Sequence, residues 1–163
     1  MAIATATGAP ALDNLLASNR ISASVNNLSA HLAYTRSEAI TRNAPVMLCK
    51  SSDGQGCTGA ANWHDGWIVF QDLDGDRDRN EDEPLLRVQQ RVGTLEIRYR
   101  GFRSSNWIEY RPSGYTEMNG TFTICDPSRS ELARAVILYK TGRVRASKHS
   151  ADGGALPCGG EAN

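Results

Sequence analysis

The sequence contains no run of 18 or more apolar residues and no leader of the secretory type, so no membrane-spanning helix is predicted within its 163 residues. It also lacks a C-x-x-C pair, and its three histidines are scattered, so a zinc site is not predicted. No serine, histidine or aspartate lies in a nucleophile motif. We therefore expect neither an enzyme nor a bound cofactor.

Net charge is also lacking, because 18 basic residues balance 18 acidic ones. The balance is uneven along the chain. Residues 72–83 contain seven acidic residues and two arginines, whereas residues 84–148 contain twelve basic residues and five acidic ones. Because a partner senses charge within roughly 10 Å, a neutral total is compatible with a basic face. The length fits one domain with a single core.

Four cysteines are present, and an even number allows full pairing. We predict disulfides between neighbours, Cys49 with Cys57 and Cys125 with Cys158, which implies an oxidising compartment such as the periplasm. The alternative is buried free thiols in a cytosolic protein. If disulfides form, we expect that an export segment preceded Met1. Residues 1–10 would then be a truncated remnant of a helix and linker, and residues 11–163 a globular head.

Apolar residues recur at spacings of three, four and seven, which predicts an amphipathic helix over about residues 11–43, ending before Pro45. From there to about residue 145 the period changes to two, with turn residues in the gaps, so six or seven short strands are predicted. Residues 146–163 would form a tail pinned by the second disulfide. The pattern predicts an α+β fold in which one long helix packs on antiparallel sheet.

Several segments, in this order, resemble the H-type pseudopilins, the group that contains the type II secretion pseudopilin GspH and the type IV pilus minor pilins FimT and FimU. The segments are Leu28-x-x-x-Leu32-Ala33-Tyr34-x-Arg36-Ser37-Glu38-Ala39-Ile40, Trp63-x-x-Gly66-Trp67-Ile68-Val69-Phe70, Pro84-Leu85-Leu86-Arg87 after an acidic Asp-Gly turn, and Gly142-Arg143-Val144-Arg145.

The resemblance implies a pilin-like fold with the helix on two small antiparallel sheets. It implies other minor and major pilins as partners, and an inner-membrane anchor through an N-terminal helix half that is absent from this chain. Such a protein would reside in the inner membrane and periplasm before assembly and at the cell surface in a pilus. Type II secretion without DNA binding is the alternative.

The resemblance also implies DNA binding in natural transformation, through the Gly-Arg-x-Arg element. In an extended segment Arg143 and Arg145 point to the same side, and each guanidinium can donate two hydrogen bonds to a phosphate. Lys148 could contribute a further contact. The alternative is an edge strand whose arginines serve solubility. Arg98, Arg100, Arg103 and Arg111 form a second basic set, which could extend the DNA-binding surface, face an acidic neighbouring subunit or remain solvated.

Two further patterns have competing interpretations. The acidic stretch resembles a calcium loop, with Asp72, Asp74, Asp76 and Glu83 as candidate ligands, but Arg77 stands where such a loop needs glycine. An acidic hairpin tip is the alternative. The tryptophans could form a stacking platform. Trp67 is predicted to be core, and Trp63 and Trp107 to pack in the core or at its rim.

Overall fold

The computed structural model describes residues 9–158, so most of the predicted remnant at residues 1–10 and the end of the tail lie outside the described residues. One long helix is followed by eight strands and one short 3-10 helix. The elements are α1 Ala9–Arg42, β1 Val46–Lys50, the 3-10 helix Trp63–Asp65, β2 Gly66–Gln71, β3 Leu85–Gln90, β4 Glu96–Gly101, β5 Trp107–Tyr110, β6 Gly120–Asp126, β7 Arg129–Leu138 and β8 Val144–Ser147.

Helix α1 has 34 residues and is therefore about 51 Å long. Its buried stripe includes Ile21, Leu28 and Leu32, each with no exposed surface. The helix ends in a Schellman motif because Asn43 adopts a left-handed φ of 51°. The amide of Ala44 donates to the Ala39 carbonyl and the amide of Asn43 to the Ile40 carbonyl. Among the described residues, no helix is long and apolar enough to cross a membrane.

The strands form two four-stranded sheets, and every neighbouring pair is antiparallel. Sheet A has the strand order β3-β2-β1-β5, and sheet B has the order β4-β6-β7-β8. The predicted α+β class with a long helix on two small antiparallel sheets is therefore confirmed. Strand β3 was not predicted, because its residues alternate poorly and it lies half-exposed at the edge of sheet A.

The main core lies between α1 and the inner faces of both sheets. Sheet A also buries its outer face, where Met47, Ile68 and Phe70 form a second apolar cluster with Cys49. The segment that follows β1 returns over this cluster and is fixed by a Cys49–Cys57 disulfide with a Cα–Cα distance of 5.6 Å. Both faces of β2 are therefore buried, which agrees with the continuous apolar run in its sequence.

Candidate functional site

The basic edge, defined here as Arg143, Arg145 and Lys148, lies along β8, the outermost strand of sheet B. All three side chains are exposed. Within the described part of the chain, none of the three forms an ion pair with a carboxylate. The Nε of Arg145 donates to the Tyr139 hydroxyl at 3.2 Å. The edge therefore presents three cations that the described protein leaves without acidic neighbours in contact.

The hairpin between β7 and β8 sets the direction of these arginines. The amide of Gly142 donates to the Tyr139 carbonyl at 2.8 Å, and the amide of Tyr139 donates to the Arg143 carbonyl at 3.0 Å. Gly142 has a φ of 78°, as expected for the last residue of a three-residue hairpin loop with a bulge. Alternation along the extended segment places Arg143 and Arg145 on one side, with their Cα atoms about 7 Å apart.

Gly142 is held where there is no space for a side chain. A Cβ atom built there would collide with the Gly114 carbonyl oxygen and would lie 3.0 Å from Cε1 of Tyr110. The Tyr110 hydroxyl donates to the Gly142 carbonyl at 3.2 Å, and Arg36 of α1 donates from Nε to the Gly114 carbonyl at 2.9 Å. We call this contact of helix, β5–β6 loop and hairpin the glycine junction. It fixes the hairpin that carries Arg143.

The structure divides the second basic set. Arg98 pairs with Glu96 at 2.7 Å, and Arg103 and Arg111 both pair with Glu117. These three charges are therefore partly neutralised at the protein surface. Arg100 has no ion-pair partner among the described residues. The pairing registers align Arg100 with Arg145 of the basic edge, in one row across the outer face of sheet B. The row consists of Arg100, Thr121, Ile137 and Arg145.

The tail after β8 crosses this outer face. It is fixed by the Cys125–Cys158 disulfide, whose Cα–Cα distance is 6.0 Å, so the structure has both pairings that were predicted between neighbours. Ala135 and Ile137 point away from the helix-facing core yet are buried, as expected beneath a covering segment. A groove of about 400 Å³ separates the tail from Arg100 and includes Asp152 in its lining.

The acidic loop between β2 and β3 brings the carboxylates of Asp72, Asp74 and Asp76 within 4.8 Å of one another. Burial raises the pKa of the Asp72 carboxyl, and the charge of Glu83 raises it further. The Glu83 carboxylate accepts hydrogen bonds from the backbone amides of Leu73 at 2.6 Å and of Asn80 at 3.2 Å. Glu83 therefore already has a structural role that closes the loop.

The calcium hypothesis stays a prediction for this loop. Thermal melting in the presence of calcium and in the presence of a chelator tests it, because an ion that binds only the folded state raises the melting midpoint. An unchanged midpoint would contradict a tight site.

The tryptophans do not form a stacking platform. Trp67 is fully buried and Trp63 nearly so, and the indole nitrogen of Trp63 donates to the Ser105 carbonyl at 2.8 Å. Trp107 is half-buried beneath the guanidinium of Arg77, which lies 5.0 Å from its ring centroid. The prediction that all three pack in the core or at its rim agrees with these positions.

Other side chains were missed by sequence reasoning. Tyr139 is an exposed aromatic beside the basic edge, and Phe102 is an exposed aromatic that follows β4 at the opposite edge of sheet B. Arg36 orders the glycine junction. Strand-end aromatics resemble core residues in sequence, so no local signal separates them. In the sequence, Arg36 is part of the segment that resembles the family, and that resemblance assigns it no role.

A single long helix on two disulfide-pinned antiparallel sheets is the architecture of a pilin-like head. Comparison with solved structures supports this class. The type IV minor pilin FimU of Pseudomonas aeruginosa matches with a TM-score of 0.64 at 18% identity, covering 83% of this chain and 95% of that one. The minor pseudopilin EpsH from the Type 2 Secretion System of Vibrio cholerae matches with a TM-score of 0.56 at 12% identity, covering 78% and 96%.

Residues 24–142 match the family described as "Type II transport protein GspH", so the chain belongs to the GspH family of minor pilins and pseudopilins. A comparison with curated proteins gave no match. Membership implies association with other pilins in a pilus or pseudopilus, assembled in the periplasm or at the cell surface. The resemblance to H-type pseudopilins inferred from the motifs is confirmed.

Proposed function

We propose that this chain is a minor pilin of a type IV pilus that takes part in filament assembly and binds double-stranded DNA at the pilus tip during natural transformation. The DNA contacts are made by the basic edge: Arg143, Arg145 and Lys148. The observation that carries the proposal is the contrast in pairing. Among residues 9–158 the basic edge is exposed without ion pairs, whereas Arg98 on the same sheet and Arg103 in the β4–β5 loop have acidic partners.

Physical chemistry sets the kind of binding to expect. Each arginine can donate two parallel hydrogen bonds to a phosphate, and a lysine adds a point charge. Three phosphate contacts release about three counterions, so log K should fall with log salt at a slope of about −2.7 on duplex DNA. Binding through phosphates alone is weak and independent of sequence. Such binding suits a filament that captures DNA of any sequence.

The proposal is tested by titrating a labelled duplex with the protein at several salt concentrations. The Arg143→Ala/Arg145→Ala variant should bind at least about ten-fold more weakly at low salt, and its salt slope should fall to about −0.9. The matched control is Arg20→Ala/Arg91→Ala, which removes the same charge from α1 and from the segment after β3. Both control arginines are exposed, and Arg91 makes only a surface pair with Asp65.

The control variant should retain the parental affinity and slope. Equal losses in the two variants would assign the effect to net charge, and unchanged binding by the Arg143/Arg145 variant would remove the site. Absence of binding by the parent at every salt concentration would leave the assembly role alone.

A type II secretion pseudopilin without DNA binding is the second candidate, because the matching family carries that system in its description. Deletion of the gene separates the two. We expect loss of pili and of transformation, with transformation restored by the parent but not by the Arg143→Ala/Arg145→Ala variant. Loss of protein secretion with pili intact would instead support the secretion system.

A further inference from the structure

The exposed aromatic side chains are gathered at one end of sheet B. In the part of the chain whose side chains are described, the large exposed aromatics are Phe102, Tyr115 and Tyr139, with 62%, 56% and 41% of their surfaces exposed. They lie in the β4–β5 loop, in the β5–β6 loop and directly after β7. Since burying an aromatic ring stabilises a fold strongly, rings left exposed beside a binding surface are candidates for contact with a ligand.

Phe102 and Tyr139 extend the strand ladder by one further row. The amide of Phe102 donates to the Asn119 carbonyl at 2.9 Å, and that of Tyr139 donates to the Arg143 carbonyl at 3.0 Å. Alternation places Phe102 on the side of Arg100, and Tyr139 and Arg143 on the side of Arg145. Both rings therefore belong to the outer face of sheet B. Two strand spacings separate them, about 10 Å.

Cations alternate with these rings. The Nζ of Lys140 lies 5.6 Å from the ring centroid of Phe102, and the Nε of Arg145 donates to the Tyr139 hydroxyl at 3.2 Å. Arg100 lies one row from Phe102 on the same face and borders the groove beneath the tail. The end of sheet B thus combines basic groups, which attract phosphates, with exposed aromatic rings.

Rings and cations in one surface suit an unpaired nucleic acid strand better than a duplex. In a duplex the base faces are stacked on one another, so a protein ring can reach them only after the pair opens. In a single strand the faces are free, and stacking on aromatic side chains contributes to affinity without regard to sequence.

We propose that the basic edge and the stacking patch, defined as Phe102 and Tyr139, together bind single-stranded DNA, with phosphates on Arg143 and Arg145 and unpaired bases on the two rings. The proposal rests on the proposed function, because it uses the same arginines. It adds a substrate class: DNA with unpaired bases, such as a frayed end or a gap, is bound more tightly than an intact duplex.

The test compares three labelled ligands of equal length: a single strand, the same strand carrying abasic sites throughout, and a duplex. The parent should bind the single strand about 5-fold or more tighter than the abasic strand, because only the former can stack. The Phe102→Ala/Tyr139→Ala variant should lose this difference and bind the two strands alike. Its salt slope on the single strand should stay at the parental value, because the two substitutions remove no cation.

Leu73→Ala is the matched control, since Leu73 is 59% exposed on the acidic loop, away from sheet B. It should behave as the parent does on all three ligands. Equal parental affinity for the normal and abasic strands would overturn the stacking proposal while leaving phosphate binding intact. Failure to bind any of the three ligands would also overturn the DNA-binding part of the proposed function and leave the assembly role.

A second copy of this chain could cover the stacking patch instead of DNA. Sedimentation of the parent and of the Phe102→Ala/Tyr139→Ala variant tests this alternative. We expect both to be monomers at the titration concentrations. A parental dimer that the double substitution dissociates would overturn the proposal and assign the rings to contact between copies of this chain.

Discussion

Gly142 joins two requirements at one residue, a left-handed backbone and the absence of a Cβ atom. An alanine there would adopt an unfavourable φ and would also press on the Gly114 carbonyl and Tyr110. We expect Gly142→Ala to lower the free energy of unfolding by about 2–4 kcal/mol, because left-handed strain alone costs about 1–2 kcal/mol and the collision adds to it. Denaturant unfolding measures the loss.

Gly75→Ala is the control for this prediction. Gly75 has a similar φ of 81°, but a Cβ atom there would meet nothing within 4 Å. Its substitution should therefore cost only the backbone strain. If the two alanine variants lost the same free energy of unfolding, the close contact at the glycine junction would contribute nothing measurable to stability.

His31 couples the helix to pH. Burial lowers the pKa of this imidazole, and the nearby charge of Arg87 lowers it further. Its ring stands edge-on to Trp67, with centroids 5.6 Å apart. Because the folded state binds the proton less well than the unfolded state, the contribution to stability is present above a pH of about 6.5 and is lost as pH falls through the unfolded and then the folded value.

We predict that the parent loses more stability between about pH 7 and pH 5 than a His31→Gln variant does. Urea midpoints across this range provide the measurement, and His149→Gln, at an exposed tail position, is the control that should follow the parent. Parallel pH curves for the parent and His31→Gln would show that protonation of His31 does not oppose folding.

At the scale of elements, each sheet has an apolar outer strip covered by a segment that a disulfide holds. Loop entropy predicts that Cys125–Cys158, which closes the longer loop, stabilises by about 3.8 kcal/mol, against about 2.6 kcal/mol for Cys49–Cys57. We therefore expect Cys125→Ala/Cys158→Ala to lower the melting temperature more than Cys49→Ala/Cys57→Ala does. Calorimetry of both variants measures the difference, and the reverse order would contradict the loop-length explanation.

The elements also show what local pattern can and cannot predict. The period of 3.6 predicted α1, and a period of two predicted the strands that have only one face in the core. A continuous apolar run indicated β2, which is buried on both faces. Strand β3 was missed since an edge strand with mixed burial gives little alternation. The placement of Arg143 and Arg145 on the same side of the strand follows from alternation alone. That Arg100 shares their face requires the strand order of sheet B, which local sequence does not encode.

At the scale of the whole molecule, the start of α1 presents an unused apolar surface. Leu12, Leu15 and Leu16 are 57%, 57% and 44% exposed. Single exposed apolar residues are ordinary, but three adjacent ones on one helix mark a contact surface. In a filament of pilin-like subunits, neighbouring helices are the natural cover for this segment.

We predict that Leu12→Ser/Leu15→Ser/Leu16→Ser leaves the melting temperature of the isolated chain within about 2 °C of the parent, since the replaced side chains are exposed. Under the proposed pilus function, the same variant should reduce the number of pili per cell in a complementation assay. Leu73→Ser, on the acidic loop, should change neither quantity. Normal piliation by the triple variant would exclude this part of the helix from assembly contacts.

The glycine junction has a mechanical consequence for a protein with the proposed role. Retraction of a filament would pull on α1 along its axis, whereas captured DNA would drag on β8 in the opposite sense. Gly142 packs against Gly114 of the β5–β6 loop, and Arg36 of α1 donates a hydrogen bond to the Gly114 carbonyl. These contacts connect the hairpin to the helix over a short distance, so they can transmit the force. The force would then not pass through the tail, because β8, which binds the DNA in the proposed function, is connected to α1 through this junction.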